Sequence, residues 1–178
     1  MISKAIIYAT KAHSGQFRKG TNIPYILHTL EAGIIVSQIK YDEDLICAAI
    51  LHDVVEDTDR TFEMVKEEFN ERIADLVASE SEDKSKSWKE RKGKTLESLA
   101  EEKNEDIGIV ALGDKLSNMR AIDRDIREIG DKLWGRFNVK DKNEHKWYYS
   151  GLADSLSYLS EYNAYHEFKI LVDKAFDN

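Results

Sequence analysis

The stretch Leu51-His52-Asp53-Val54-Val55-Glu56-Asp57-Thr58 places one imidazole and three carboxylates within six positions. It follows Leu45-Ile46-Cys47-Ala48-Ala49-Ile50-Leu51, an apolar run that reads as a buried helix. At helical spacing His52 and Glu56 share one face, and Asp53 and Asp57 share the next. Four ionisable groups at the end of such a helix are costly unless something compensates them. A lone His-Asp pair would read as a helix end entering a solvated acidic turn. With Glu56-Asp57 one turn later, a divalent cation is the better compensation, since imidazole nitrogen and carboxylate oxygen are ligands of borderline-to-hard metals.

The flanking segments carry the period of helices. Ile2, Ala5, Ile6, Ala9, Thr10 and His13 form one stripe, with His13 read as a hydrogen-bonded core histidine. Residues 14–24 are a loop punctuated by Gly15, Gly20 and Pro24, with Arg18-Lys19 at its centre as a candidate anion clamp. A helix over 25–38 turns Ile26, Leu27, Leu30, Ile34 and Ile35 inward and holds His28 near its start. The decisive helix runs from Asp42, a plausible N-cap, to about residue 54.

Helices follow from 61, over 71–79 and over 88–101, with a charged loop at 80–87 between the last two. A strong helix over 106–125 embeds Asp114 among apolar residues, with Asn118 one turn on. Residues 126–143 read as irregular around Gly130 and Gly135. Helices over 144–160 and 162–176 close the chain, the first with Trp147, Leu152, Leu156 and Leu159 inward. Tyr148 and Tyr149 read as packing residues. No strand alternation or internal repeat interrupts this pattern. The fold class is all-α: a single domain of about eight to ten helices over 1–178, with its core in 2–160 and a C-terminal helix over 161–176.

At 178 residues the chain is long enough for one real core. A net charge of −8 argues against a nucleic-acid polymer as partner. The single cysteine, Cys47, falls in the apolar run and reads as a buried inert thiol, which suits a reducing cytosol. No run of 18 apolar residues is present, and the first residues are too polar for a signal peptide, so no membrane is expected and the location is expected to be cytoplasmic.

Three ordered segments resemble a known family: Phe17-Arg18-Lys19-Gly20 with Pro24-Tyr25-Ile26-Leu27-His28, then Leu51 to Thr58, then Gly113-Asp114-Lys115-Leu116-Ser117-Asn118-Met119-Arg120. Together they look like the HD superfamily of metal-dependent phosphohydrolases, and within it the hydrolase domain of RelA/SpoT-type alarmone enzymes. The chain ends where the bifunctional enzymes go on to a synthetase domain, so it resembles a small stand-alone alarmone hydrolase. The resemblance implies His28, His52, Asp53 and Asp114 as metal ligands, with Mn²⁺ the usual ion. It implies Glu56 and Asp57 as the pair that orients or deprotonates the attacking water. It also implies nucleotide contacts from Arg18, Lys19, Lys115, Asn118 and Tyr148, with Lys84, Arg91 and Lys92 near the phosphates. The implied substrate is guanosine tetra- or pentaphosphate, split at the 3′-linked phosphorus into pyrophosphate and GDP or GTP. Ligand chemistry alone also admits Fe²⁺, Co²⁺ or Zn²⁺. The same site would serve a phosphatase acting on NADPH or another nucleotide, or survive in a non-catalytic nucleotide-sensing module. Three departures stand out: Thr29 where the family often has proline, Gly113 where alanine is common, and Ser81-Glu82-Asp83-Lys84 in place of a Thr-led loop. Gly113 is expected to cost its helix about 1 kcal/mol relative to alanine.

Overall fold

Asp42 caps the decisive helix: its carboxylate accepts the amides of Asp44 at 2.9 Å and Leu45 at 3.2 Å. The helix it starts, α3 (Glu43–Leu51), buries every residue from Leu45 to Leu51 in the computed structural model, which describes residues 1–176. A helix that is apolar all round has to be surrounded, and α3 is. Helices α1 (Ile2–Ala12) and α2 (Ile26–Ile39) pack on it from one side. Helix α6 (Glu71–Ser79) packs from another, and α8 (Glu105–Ile129) lies across both α2 and α3. Short helices α4 (Val54–Asp57) and α5 (Phe62–Glu68) link α3 to α6. Helices α7 (Trp88–Glu102), α9 (Lys142–Ser155) and α10 (Asn163–Phe176) complete ten α-helices among the described residues. Among these residues the one extended pairing is an isolated bridge between Phe17 and Pro24, and no helix is long and apolar enough to cross a membrane.

Several boundaries differ from the sequence reading. Helix α3 stops at Leu51, and His52-Asp53 form a turn before α4 begins. The four ionisable groups therefore do not stand on one continuous helix. The turn aims His52 and Asp53 inward and leaves Asp57 exposed. Helix α8 continues to Ile129, and Gly130–Arg136 form a 3₁₀ helix where an irregular segment was expected.

Leu27 and Ile34 are exposed, at 53% and 57%, although they were expected inward. The reason is that α2 is packed on two sides, against α3 and α8. Its buried positions, among them His28, Ala32, Ile35 and Val36, wrap most of the helix, and the seven-residue stripe of Leu27 and Ile34 is what remains outside. Trp147 also lies at the surface, with the Lys89 ammonium 3.7 Å from its ring centre.

The expected penalty at Gly113 has a counterpart in packing. A Cβ there would lie 2.7 Å from Val36 Cγ2 and 3.1 Å from the Ala32 carbonyl oxygen. Only glycine lets α8 come this close to the backbone of α2. Those two helices carry His28 and Asp114, so the contact sets the two side chains opposite each other.

Candidate active site

Four side chains from three parts of the chain meet at one point: His28 on α2, His52 and Asp53 in the turn between α3 and α4, and Asp114 on α8. His28 Nε2 lies 3.1 Å from Asp114 Oδ1 and 3.8 Å from Asp53 Oδ2. His52 Nε2 lies 2.9 Å from Asp53 Oδ2 and 3.6 Å from Asp114 Oδ1. Ligand atoms of His28, His52 and Asp114 all fall within 4.8 Å of one another.

The hydrogen bonds fix which nitrogens carry protons. His52 Nδ1 lies 2.7 Å from the Ala49 carbonyl oxygen, which only accepts, so Nδ1 donates. Ser117 Oγ gives its single proton to Glu31 Oε2 at 2.8 Å, so it accepts from His28 Nδ1 at 2.8 Å. In the neutral rings both Nε2 atoms then hold lone pairs. Two nitrogen lone pairs and two carboxylate oxygens thus face one small volume. His52 Nε2 is fully enclosed there and makes no hydrogen bond.

Such a set needs a positive charge at its centre. Two ligand atoms about 2.1 Å from a common ion lie ~3.0 Å apart at a right angle and ~3.4 Å at a tetrahedral angle. The observed separations of 2.9–3.8 Å fit a divalent cation. Electrostatics agree. Burial opposes a proton on His52, yet Asp53 and Asp114 outweigh it and hold its pKa well above the ordinary value. A cation would take the place of that proton. Burial also penalises the Asp114 carboxylate, but the ammonium of Lys115 and the imidazole of His52 keep its pKa well below the usual range.

Outer partners orient this set. Tyr25 donates its hydroxyl proton to Asp53 Oδ2 at 2.6 Å. Asn118 Nδ2 donates to Asp114 Oδ1 at 2.6 Å, and Lys115 pairs with Asp114 Oδ2. Glu31, which accepts from Ser117, also accepts from Arg120 Nη1 at 3.1 Å.

Glu56 and Asp57 flank the centre. Burial raises the Glu56 pKa, the neighbouring carboxylates Asp53 and Asp57 add to this, and Lys84 opposes it from 3.6 Å. A carboxylate pushed upward is the better proton acceptor. Lys84 also donates to the Glu56 carbonyl at 2.6 Å and lies 3.3 Å from Asp57 Oδ1, so it is already engaged with this pair.

A cavity of about 300 Å³ opens over the cluster, and Arg18, Lys19, Lys115, Asn118 and Tyr148 all line it. Arg18 Nη2 donates to Asn118 Oδ1 at 2.7 Å across 100 residues of chain, and its guanidinium lies 5.7 Å from the Tyr25 ring centre. Lys19 is exposed at the rim. Lys115 is largely enclosed, its side chain 12% exposed, between Asp114 and Glu80, whose Oε2 lies 3.5 Å away, so it steadies the cluster more than it awaits a ligand. Tyr148 packs beside Trp88 and Tyr149, and its buried hydroxyl has no hydrogen-bond partner. Arg91 and Lys92 are paired with Glu82 at 2.6 and 2.7 Å.

Sequence reasoning missed Ser117, Glu31, Glu80 and Glu82. The last two sit in a segment read as a charged loop, yet their side chains are only 6% and 10% exposed and wall the cavity. The one sequence signal for Ser117 was its place three residues after Asp114 on the same helix. His13 is a core histidine as expected, with Nδ1 2.8 Å from Gln16 Oε1. Burial pushes the Cys47 thiol up to about 11 and leaves it inert.

The HD domain family profile matches residues 5–137. The chain belongs to the HD-domain family. Among similar HD-type proteins, the Drosophila melanogaster guanosine-3′,5′-bis(diphosphate) 3′-pyrophosphohydrolase MESH1 is 38% identical over 116 residues, covering 64% of each chain. The Aquifex aeolicus protein of the same description is 34% identical over 123 residues, which is 68% of this chain and 18% of that one. This chain therefore spans about a fifth of the length of the long bacterial relatives it matches. A solved structure described as a metazoan ortholog of SpoT that hydrolyzes ppGpp superposes with a TM-score of 0.77 at 27% identity, over 99% of this chain and 93% of that one. The crystal structure of lmo0812 from Listeria monocytogenes EGD-e gives 0.78 at 31% identity, over 85% and 99%.

Proposed function

We propose that this HD-domain protein is a metal-dependent 3′-pyrophosphohydrolase acting on guanosine tetra- or pentaphosphate in the cytoplasm, with Mn²⁺ as its ion. The observation that carries the reading is the convergence of two imidazole lone pairs and two carboxylates beneath a cavity, with an upward-shifted carboxylate alongside. The names of the relatives supply the substrate class.

His28, His52, Asp53 and Asp114 would hold the ion. When bound, a divalent cation lowers the pKa of a coordinated water by several units and offsets phosphate charge. The chain's own groups do the rest. Glu56 takes the proton of the attacking water, and its raised pKa suits that task. Asp57 lies beside it and shares Lys84 with it. Water adds to the 3′-linked phosphorus, the bond from that phosphorus to the ribose 3′ oxygen breaks, and the oxygen leaves as the nucleoside hydroxyl after receiving a proton. The products are pyrophosphate and GDP or GTP. Arg18 lies with one guanidinium face toward Tyr25 and offers the other to a base. Tyr148 presents its free hydroxyl to the bound nucleotide.

The test is an assay of the purified, Mn²⁺-loaded protein on guanosine tetraphosphate, with NADPH and GTP in parallel and a chelator control. The expected result is pyrophosphate and GDP in equal amounts, abolished by the chelator. Phosphate release from NADPH with guanosine tetraphosphate untouched would overturn the substrate and keep the site. Tight nucleotide binding with no turnover would move the protein to a sensing role.

A further inference from the structure

One charged group in the cavity has no place in the chemistry above. Asp125 is 9% exposed and lines the cavity wall, yet it stands far from the metal cluster. It lies 11 residues after Asp114 on α8, three turns on and nearly on the same face, so about 16 Å further along the helix. Between them on this face come Asn118 and Ile122, both lining the same cavity. The cavity is therefore a trough along α8, with phosphate-handling groups at one end and Asp125 toward the other.

The walls near Asp125 suit a flat ring. Ile122, Leu133 and Phe137 supply apolar surface, and Arg18, hydrogen-bonded to Asn118 part-way along the trough, supplies a guanidinium plane on which a heterocycle can stack. Asp125 itself is held in place. Arg136 Nη1 donates to its Oδ2 at 2.7 Å, and Arg124 Nε donates to its Oδ1 at 3.0 Å. The loop carrying Arg18 presses on the same clamp: a Cβ at Gly20 would lie 2.6 Å from Arg136 Cγ, and Gly20 has φ +69°. Glycine is what lets that loop close on Arg136. Oδ2 accepts from Arg136 and keeps a second lone pair, while Oδ1 faces both Nε and Nη2 of Arg124 at 3.0 Å; two oxygens offer about four acceptor sites, so the carboxylate retains acceptor capacity.

We propose that Asp125 reads the base of the substrate, accepting hydrogen bonds from a purine edge that carries two adjacent donors. Guanine has that edge, in its ring N1–H and its exocyclic amine. Adenine presents an acceptor at N1, which would face a carboxylate and be repelled. The inference rests on the proposed function and deepens it: the residue selects a guanosine over an adenosine 3′-pyrophosphate.

The test is Asp125→Asn, assayed on guanosine and adenosine nucleotides bearing 5′-diphosphate and 3′-pyrophosphate. An asparagine amide offers one donor and one acceptor and matches adenine instead. The quantity read is the ratio of kcat/KM for the two substrates within one protein, which cancels any general loss of folding or metal. The wild type is expected to favour guanosine, and the ratio is expected to fall roughly 10- to 100-fold in the variant. An unchanged ratio overturns the assignment. If the variant turns over neither substrate, the equilibrium binding of GDP and of ADP to it decides by the same ratio. If the wild type hydrolyses no 3′-pyrophosphate, the proposed function fails, while the GDP and ADP comparison between wild type and variant still accepts or rejects Asp125 as the base reader.

Discussion

Replacing Ser117 by alanine should loosen the metal centre without touching a ligand. Ser117 Oγ is the acceptor for His28 Nδ1–H, at 2.8 Å in a buried setting. In Ser117→Ala the ring has two ways to respond. It can keep its tautomer and leave a buried N–H unpaired, at about 1–3 kcal/mol. It can instead move the proton to Nε2, which removes the lone pair that faces Asp53 and Asp114. Both responses weaken the site. Loss of such an outer partner typically lowers metal affinity 10–100-fold. Glu31 loses a donor too, but it is partly exposed and keeps Arg120, so the cost falls mainly on His28. Without metal, the variant should melt a few degrees lower, since 1 kcal/mol shifts a chain of this size by about 2–4 °C. Calorimetric titration of wild type and variant with Mn²⁺ measures the affinity directly. A variant that binds Mn²⁺ as tightly as the wild type would refute the tautomer argument.

Glu56→Gln should keep its metal and lose about 100- to 10,000-fold in kcat, checked by metal content and turnover on the same sample. Lys84→Met removes the one cation that opposes the upward shift of Glu56. Activity needs Glu56 ionised, so it is lost as pH falls through the Glu56 pKa. The acid limb of the kcat/KM profile should therefore move to higher pH in Lys84→Met, and a limb that stays or moves lower would contradict the role of Glu56. Gly113→Ala gains about 1 kcal/mol of helix propensity and meets Val36 and Ala32 at overpacked distances, which typically costs about 1–3 kcal/mol. Urea denaturation should show a net loss of stability; a stabilised variant would mean that α8 can shift away from α2.

Much of this architecture is legible in residue pattern because the α3 region is nearly all local physics. Asp42 is a good cap and the seven residues from Leu45 have no polar face, so the helix and its burial follow from sequence alone. The cluster was found by chemistry and resemblance, since His28, His52 and Asp114 are distant in the chain and nothing local says that they meet. The misses share a cause: each depends on a partner elsewhere. Leu27 and Ile34 follow a good amphipathic pattern, but α2 has two neighbours, so its outward stripe is narrow and apolar. Glu80 and Glu82 look solvated until Lys115, Arg91 and Lys92 are brought beside them. Ser117 passes for a small packing residue until His28 and Glu31 arrive from 89 and 86 positions away.

The close approach of α8 to α2 at Gly113 bears on how such a protein can change over generations. His28 and Asp114 are held opposite each other by contact with main chain, which rotamer exchanges and distant repacking leave alone. The residues that the proposal assigns to a nucleotide's base are held by side chains: Arg18 by Asn118, Asp125 by two arginines. Single substitutions can remodel that end while the reacting end keeps its dimensions. On the proposed function, substitutions at that end are expected to alter which compound is bound before they alter the spacing of the residues that would hold the ion.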